Sequence, residues 1–386
     1  MIAPHGGRLT NRILTGAELD EATSRAGSLP KLTISDVLAG DIQNIARGVF
    51  SPLNGFIGKD DFESIIANDR MVDGTVWTIP IILDVPEKDS VQPGQEVALY
   101  RSGEEEAMAL LTVSEVYDWD KQAATAAFFG TNDLNHPGVA GMYARGDWLV
   151  GGEISLIDND RGPFADVNLF PAETREVFEK NGWKTVIAFQ TRNVPHIGHE
   201  FLQKSVLGFT DGLFIQPIIG KKKSGDFRDE VIISSYLTLL DNYYAKDRVF
   251  LNILPTEMRY GGPKEAILHA IMRKNYGCTG IIIGRDHAGV SDPNGKPYYG
   301  EEAAIEIFRD FPDLEIEPFS IAGDFGYCLK CNAVSSDRMC PHGADFVSFS
   351  GTEIRSLIQS RSKVPEQVMR PEVLERILQF DDIFVD

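Results

Sequence analysis

The sequence predicts an α/β protein in which a mainly β region precedes a parallel sheet covered by helices. Up to about residue 165, short β-rich pieces at 76–85, 96–100 and 107–116 are separated by turn residues. Beyond that point, apolar runs of strand length alternate with segments of helical spacing, which is the pattern of a parallel sheet. We therefore expect three regions, at residues 1–165, 166–320 and 321–386.

Individual elements follow from the same two patterns. A short apolar run between turn signals is typical of a buried strand, and apolar residues that recur about every 3.6 positions are typical of a helix. In the first region we expect helices at 19–26 and 59–68 and a turn at 51–56. Beyond it we expect strands at 185–189, 213–219, 249–254 and 280–283, and helices at 201–209, 231–243, 265–274, 352–359 and 371–380.

Bulk composition favours a multidomain protein without a membrane anchor. The chain has 386 residues, of which 43% are hydrophobic, enough to bury a sizeable core. Its N-terminus lacks a basic stretch followed by an apolar run, and no window reaches the roughly 18 apolar residues of a spanning helix. We expect a cytoplasmic protein. Three of its four cysteines lie between 328 and 340, which suits a metal site in a reducing compartment.

The charge distribution argues against nucleic acid as a partner. The formal net charge is −20, and residues 1–165 hold 12 basic against 25 acidic side chains. Nonspecific binding to a phosphate backbone needs the opposite sign. Residues 181–290 reverse the balance, with 14 Lys and Arg against 10 Asp and Glu. An acidic shell can serve solubility alone, but that explanation does not account for the local basic excess.

Residues 190–200 (QTRNVPHIGHE) place an arginine, two amides and two histidines where a strand gives way to a helix. At that edge of an open α/β sheet ligands bind, and the free N–H groups of a helix N-terminus favour anions. Arg192 can hold a tetrahedral oxyanion through two parallel hydrogen bonds, and Gln190 and Asn193 can add amide donors. We expect a phosphate or oxyanion site here; a surface arginine paired with an acid is the alternative.

His196 and His199 are three positions apart, so their side chains should point the same way from the first turn of the helix. Two imidazoles on one face can hold the phosphate oxygens of a nucleotide. Metal binding is a competing interpretation, but no carboxylate at the spacing of zinc proteases accompanies them, because Glu200 directly follows His199. A buried structural role is the third possibility.

A second loop, residues 284–289 (GRDHAG), follows the last strand of the predicted sheet and should open at the same edge. Gly284 and Gly289 let the backbone approach a ligand, and Arg285 adds a positive charge, although a plain turn would also use these glycines. Two arginine loops at one edge favour a multiply charged substrate.

Three other segments are candidates for phosphate contact. Residues 221–226 (KKKSGD) predict either a mobile lid or a solvated loop, and residues 258–265 lead into a helix with Pro263 in its first turn. Residues 350–355 (SGTEIR) place small hydroxyls before a helix, where they cap it or contact phosphate.

The pattern Cys328-x2-Cys331-x8-Cys340, followed by His342, predicts a structural zinc site. The fourth ligand is open at this point, since Asp337, Asp345 or a water could replace His342. No activating base and no open coordination position are indicated, so we expect no catalytic role for the metal. Cys278 is expected in the core.

Taken together, QTRN with two histidines, MRYGGPKEA, GRDHAG and SGTEIR resemble the motifs of the ATP sulfurylase (sulfate adenylyltransferase) family. Residues 4–7 (PHGG) and 50–56 (FSPLNGF) are also similar to family signatures, so the resemblance covers nearly the whole chain. It implies a PUA-like N-terminal domain, a Rossmann-like catalytic domain of the HxGH nucleotidyltransferase type and a small C-terminal α/β segment.

The resemblance also implies a reaction, in which MgATP and sulfate give adenosine 5′-phosphosulfate and diphosphate. It assigns sulfate to Gln190, Arg192 and the backbone of Ala288. It assigns the ATP phosphates to Thr191, Asn193, His196, His199 and Arg285, with Gly284, Asp286 and His287 lining the substrate site. The implied cofactors are Mg²⁺ with ATP and a structural Zn²⁺, and the implied assembly is a homo-oligomer, a dimer or larger.

Three segments depart from the family pattern. A proline usually follows the asparagine, whereas this chain reverses the order and has Val194-Pro195. An arginine usually follows the first histidine, whereas this chain has Ile197. Gln216 stands where a histidine is common. These changes could alter phosphate affinity or nucleotide preference.

Two other functions fit parts of the sequence. Another HxGH adenylyltransferase would act on a phosphate-ester acceptor. A PUA-like domain could bind RNA, which the acidic first region opposes. A fused adenosine-phosphosulfate kinase is not expected, because the sequence contains no Gly-x4-Gly-Lys-Ser/Thr loop.

Overall fold

The computed structural model describes residues 1–320, 325–342, 345–349 and 351–385. The chain forms two compact units, the first from Met1–Val177 and Thr256–Pro318 and the second from Phe178–Pro255 and Phe319–Asp386. Each unit therefore combines two separate stretches of the chain. Within the described residues, no helix has both the length and the apolar character that crossing a bilayer requires.

The N-terminal stretch combines short strands with helices whose ends carry clear signals. Ser35 and Asp120 cap helices by accepting backbone N–H bonds through their side chains, and Gly130 ends a helix in the left-handed conformation. The elements are α1 (Gly16–Ala26), β1 (Lys31–Ile34), α2 (Asp36–Ala46), β2 (Gly55–Phe56), α3 (Lys59–Asn68), β3 (Leu83–Val85), β4 (Glu96–Arg101), β5 (Ala109–Asp118), α4 (Lys121–Phe129), α5 (Pro137–Tyr143), β6 (Trp148–Leu156) and α6 (Pro171–Lys180).

One sheet organises this stretch, in the order β1-β4-β5-β6-β2, with β3 also paired to β6. Only β1 and β4 run parallel; the other pairs are antiparallel. The mainly β region is thus confirmed, and so are the strands predicted at 96–100 and 107–116. The strand predicted at 76–85 is wrong except for Leu83–Val85, because Trp77 and its neighbours are buried in irregular backbone, where the Trp77 indole N–H donates to the Ile79 carbonyl at 2.8 Å.

Strands and helices then alternate, as predicted. The elements are β7 (Val186–Thr191), α7 (Ile197–Leu207), β8 (Gly212–Ile219), α8 (Asp229–Tyr243), β9 (Val249–Leu251), β10 (Leu254–Pro255), α9 (Pro263–Tyr276), β11 (Gly280–Ile282), α10 (Ala303–Glu306) and β12 (Glu317–Phe319).

Parallel pairing confirms the predicted α/β arrangement. The fully buried strand β8 pairs in parallel with β7, β9 and β10. Two details differ from prediction: the run at 249–254 is divided into two short strands, and β7 continues to Thr191. Gln190 and Thr191 are therefore the last residues of the strand rather than part of the loop, since they remain in register with Gln216 and Pro217.

The C-terminal stretch contains a small antiparallel sheet and two helices. The sheet has the order β14-β13-β15, and the predicted helices at 352–359 and 371–380 are confirmed within one or two residues at their ends. Ser350, predicted as a cap or phosphate contact, lies outside the described residues. The elements are β13 (Phe325–Cys328), β14 (Ala333–Ser336), β15 (Phe346–Val347), α11 (Gly351–Gln359) and α12 (Pro371–Leu378).

Candidate functional site

The segment between β7 and α7 gives the two histidines different backbone positions. His196 has extended backbone and is the N-cap of α7, which begins at Ile197. Its Nδ1 accepts a hydrogen bond from the His199 backbone N–H at 3.2 Å. The expectation that both histidines belong to the first helical turn is therefore wrong for His196, because its ring takes the role that a capping oxygen usually has.

The two imidazole rings nevertheless lie together, as predicted. They stack with centroids 3.6 Å apart and an interplanar angle of 25°. Phe349 lies nearly parallel to His196 at 5.4 Å, and the edge of Phe189 meets His199 at 5.3 Å. A Cβ on Gly198 would lie 2.6 Å from a ring carbon of Phe349, so only glycine fits between the two histidines in this arrangement.

Burial keeps both rings neutral. It lowers the pKa of His196 to about 4, and burial, followed by the positive charge that His196 would carry, lowers the pKa of His199 well below its ordinary value. Because Nδ1 of His196 accepts a hydrogen bond, its proton must be on Nε2, which can then donate to a ligand. Nδ1 of His199 is buried and has no hydrogen-bond partner among the described residues, as expected where a ligand supplies one.

Cationic side chains of the same unit gather around two carboxylates of the 221–229 loop. Asp226 lies between Arg192, whose guanidinium is 3.7 Å away, and Arg355, at 3.5 Å. The largely buried Lys222 pairs with Asp229 at 2.9 Å, and burial raises the pKa of Asp229 despite that attraction. Arg192, Lys222 and Arg355 thus each lie beside a carboxylate, and the first two belong to the basic excess at 181–290.

Thr191 and Asn193 shape the turn that follows β7. The Asn193 backbone N–H donates to the Thr191 hydroxyl at 3.1 Å, a local side-chain turn that directs the chain toward His196. Val194, one of the departures from the family pattern, is buried, as is Gln216, whose amide nitrogen donates to the Ile253 carbonyl at 3.4 Å.

Glu200 anchors the start of α7 and takes no part in a metal site with the histidines. Arg370 donates two hydrogen bonds of 2.9 Å to its carboxylate, and Lys204 adds one of 2.6 Å. Although burial opposes ionisation, these bonds lower the pKa of Glu200. Ile197, where the family usually has arginine, lines a groove of about 720 Å³ with Glu200 and Arg370.

The 284–289 loop belongs to the other compact unit, where the buried side chains of Glu265 and His269 orient the half-buried His287. Nδ1 of His269 lies 2.9 Å from Nε2 of His287, and Nε2 of His269 lies 3.3 Å from the Glu265 carboxylate. That carboxylate also accepts backbone N–H bonds from Arg259 and Gly261 at 2.8 and 2.9 Å. Burial lowers the pKa of both histidines and keeps them neutral. Although burial opposes the ionisation of Glu265, hydrogen bonds from His269 and the backbone lower its pKa, so a carboxylate fixes the tautomers of both rings.

His269 was missed from sequence. The signal that could have revealed it is the spacing of Glu265 and His269, four residues apart on a predicted helix.

The loop itself is held in a backbone conformation that costs energy. Ala288 has a φ of 56°, which costs a residue with a Cβ roughly 1–2 kcal/mol. Its carbonyl accepts the Gly262 N–H at 3.1 Å, and a Cβ on Gly289 would collide with the Asp286 carboxylate. By contrast, a Cβ on Gly284 would have no described atom within 4 Å, so protein packing does not explain that glycine. Arg285 beside it is exposed.

Cys328, Cys331, Cys340 and His342 form a cluster that could hold a metal ion. The Sγ atoms of Cys328 and Cys331 lie 3.6 and 3.4 Å from that of Cys340, and Nδ1 of His342 lies 3.4–3.8 Å from all three sulfurs. Tetrahedral zinc with bonds of about 2.0–2.3 Å separates its ligands by about 3.5–3.8 Å, so the cluster is compatible with zinc. His342 belongs to the cluster, whereas the Asp345 carboxylate lies 2.8 Å from the Lys330 ammonium.

A family model described as ATP-sulfurylase matches residues 165–380, and one described as a PUA-like domain matches residues 2–159. The sulfate adenylyltransferases of Pyrococcus abyssi and Ignicoccus hospitalis are 48% and 47% identical to this chain, over 99% of it and 99% of each relative. That of Cenarchaeum symbiosum is 45% identical over 100% of this chain and 99% of its own.

Among solved structures, the fold is similar to that of a hexameric APS kinase from Thiobacillus denitrificans. The TM-score is 0.77 at 23% identity, covering 98% of this chain and 68% of that one. At that identity the likeness concerns the fold alone. Together with the two family models, it confirms the predicted fold class, a PUA-like N-terminal domain with an α/β catalytic domain.

The buried state of His196 can be checked by titration. We predict that its ring in the ligand-free protein titrates near pH 4, because burial disfavours the imidazolium. The unfolded chain takes up this proton at about pH 6.5, so the free energy of unfolding should fall as the pH is lowered from about 6.5 to 4. The measurement is NMR titration of histidine ring carbons, with His196→Gln for assignment. A midpoint near 6.5 would show that the ring is not buried.

Proposed function

The chain belongs to the ATP-sulfurylase family, and we propose that it is a sulfate adenylyltransferase, which converts ATP and sulfate into adenosine 5′-phosphosulfate and diphosphate. The single observation that best supports this proposal is the neutral pair of His196 and His199, which lies in the same unit as the cations Arg192, Lys222 and Arg355. Uncharged donors and fixed cations after a strand end suit two anionic substrates.

In the proposed reaction a sulfate oxygen attacks the α-phosphorus of ATP in line with the departing diphosphate. Sulfate is already ionised, so no general base is needed and no covalent enzyme intermediate forms. Catalysis then consists of bringing two mutually repelling anions together and stabilising the charge on the leaving group. Whether the cell uses the reaction to activate sulfate or, in reverse, to make ATP depends on the concentrations of its substrates.

Residue roles follow the family resemblance and the local chemistry. Gln190, Arg192 and the Ala288 backbone would bind sulfate. The left-handed conformation of Ala288 supports a special role for its backbone, since such costly conformations concentrate at ligand sites. The ATP phosphates would be held by Thr191, Asn193, His196, His199 and Arg285, with Gly284, Asp286 and His287 lining the substrate site.

Two ions belong to the proposal. Mg²⁺ would arrive bound to ATP and supply charge neutralisation at the phosphates. Zn²⁺ would be held by Cys328, Cys331, Cys340 and His342 in a purely structural role. Thiolate ligands need a reducing compartment, which supports a cytoplasmic location. A homo-oligomeric assembly is also part of the proposal.

The rival function is adenylyl transfer to a phosphate ester by a related HxGH enzyme. The two acceptors differ in size, because a phosphate ester carries an organic group. A site for sulfate has to exclude that group. Competition between sulfate and its oxyanion analogues distinguishes them.

We predict that the purified protein releases diphosphate from MgATP only when sulfate or molybdate is present, since the molybdate adduct hydrolyses at once and lets the reaction cycle. Replacing His196 or His199 by Ala should lower the rate about 100-fold or more, as is usual when a donor to developing charge is lost. Arg248→Ala, at an exposed arginine of the same unit, is the matched control. Equal diphosphate release without any oxyanion would refute the function.

Asp226 should compete with the oxyanion for Arg192 and Arg355. We predict that Asp226→Asn lowers the KM for sulfate about two- to five-fold with little change in kcat, because partly exposed ion pairs of this kind contribute up to about 1 kcal/mol. Asp241→Asn breaks a comparable but exposed pair with Lys246 and should change neither constant. A raised KM would mean that Asp226 positions Arg192 for sulfate instead of competing with it.

Metal analysis tests the zinc proposal. The protein should contain one zinc per chain by mass spectrometry, and Cys331→Ser should lose most of it and melt at a lower temperature. Cys331 is the informative position because it is exposed, so the substitution disturbs little packing. Cys278→Ala, at a buried cysteine outside the cluster, should retain zinc. Full occupancy in Cys331→Ser, or a different metal in the native protein, would contradict the assignment.

A further inference from the structure

We propose that Phe349 is a positioning residue for His196 and that the Cys3His centre holds Phe349 in place. The inference rests on the proposed function, because it gives His196 a role toward the phosphates. Ring contacts, strand register and the geometry of the Cys3His cluster within one compact unit support it.

The contact between Phe349 and His196 is specific in geometry. The rings are inclined by only 13° at a centroid distance of 5.4 Å. A Cβ on Gly198 would lie within 3.0 Å of both rings, so the glycine of the HxGH motif makes room for Phe349 as well as for the histidine. Any displacement of the Phe349 ring therefore opens space into which the His196 ring can rotate.

Phe349 is placed in turn by the small sheet that carries the metal ligands. Strand β15 lies two residues before it and pairs with β13, with Phe346 opposite Cys328. The Phe349 ring also contacts Phe325 at the start of β13, with centroids 5.9 Å apart. Thus the strand that ends in a metal ligand contacts Phe349 at its other end.

The other ligands tie the chain that leads into β15. The Asp345 N–H donates to the His342 carbonyl at 2.8 Å, and the Leu329 N–H donates to the Asp345 carbonyl at 3.1 Å. Cys328 and His342 are therefore joined both through the metal position and through backbone hydrogen bonds. Two-residue strands are weak alone, so the bound metal would fix the position of β15 and of Phe349 after it.

The function of this arrangement is to restrict the His196 ring. Two nearly parallel neighbours, His199 and Phe349, leave its imidazole little freedom, so Nδ1 remains on the His199 N–H and Nε2 keeps a fixed direction. Preorganised donors stabilise developing charge without reorganising during the reaction. The Cys3His cluster would then contribute to catalysis indirectly, by holding Phe349 against His196.

The test compares Phe349→Ala, Phe349→Tyr and Phe209→Ala in the otherwise intact protein. Phe209 is 92% exposed in the same unit and serves as the control. We expect Phe349→Ala to lower kcat of oxyanion-dependent diphosphate release about tenfold, with the oxyanion KM within two-fold and zinc content unchanged. Phe349→Tyr keeps the ring, so its kcat should lie within three-fold of the native value.

A second readout does not depend on activity. The pKa of His196, measured by NMR titration, should rise toward the ordinary histidine range in Phe349→Ala. It should rise by a similar amount in Cys331→Ser and no further in the double variant. If kcat and the His196 titration of Phe349→Ala match the native protein, the proposal is wrong. If the native protein shows no oxyanion-dependent reaction, the proposed function fails, whereas the titration still decides whether Phe349 positions His196.

Discussion

One hydrogen bond, from the His199 backbone N–H to the His196 imidazole, determines most of what this site can do. It places His196 ahead of α7 instead of inside it, so the two rings stack. It also occupies Nδ1, which puts the proton of a neutral His196 on Nε2 and makes that atom a donor. A serine or aspartate could cap the helix as well, but neither would leave a second nitrogen available for a ligand. The imidazole thus caps the helix through one nitrogen and carries its proton on the other.

Charge near this segment is divided between groups that are neutral and groups that are always charged. Burial disfavours imidazolium at His196 and His199, so the histidines act as hydrogen-bond donors, and positive charge is left to arginine and lysine. Each of these cations is paired with a carboxylate: Arg192 and Arg355 with Asp226, and Lys222 with Asp229. An anion that binds Arg192 or Arg355 would therefore compete with the Asp226 carboxylate. In the other unit the Glu265–His269–His287 relay applies the same principle, since it orients a neutral imidazole through buried hydrogen bonds.

Sequence patterns predicted the parts of this protein that depend on local chemistry. The strand-to-helix segment at 190–200 and the grouping of three cysteines could be recognised because their residue types and spacing have few other uses, whereas the choice of His342 as the fourth member of the cluster was open. The capping role of His196 could not, since helical spacing alone predicts that both histidines lie in the first turn. The contact of Phe349 with His196 was also beyond prediction, because it joins residues 153 positions apart through a sheet of very short strands. The prediction of a strand at 76–85 was wrong because an apolar run can also be buried in irregular backbone. Its polar groups can then be paired locally, as the Trp77 indole N–H is with the Ile79 carbonyl.

The central claim is that the cap bond sets the tautomer of His196 for phosphate binding. Long-range ¹H–¹⁵N NMR of histidine-labelled protein at pH 7 reads that tautomer directly, because protonated and unprotonated ring nitrogens have well-separated shifts. Our account predicts a protonated Nε2 and an unprotonated Nδ1 on His196 in the free protein, and a change at Nε2 when a non-hydrolysable ATP analogue is added with Mg²⁺. A proton on Nδ1 in the free protein would contradict it, since that nitrogen could not then accept the His199 N–H.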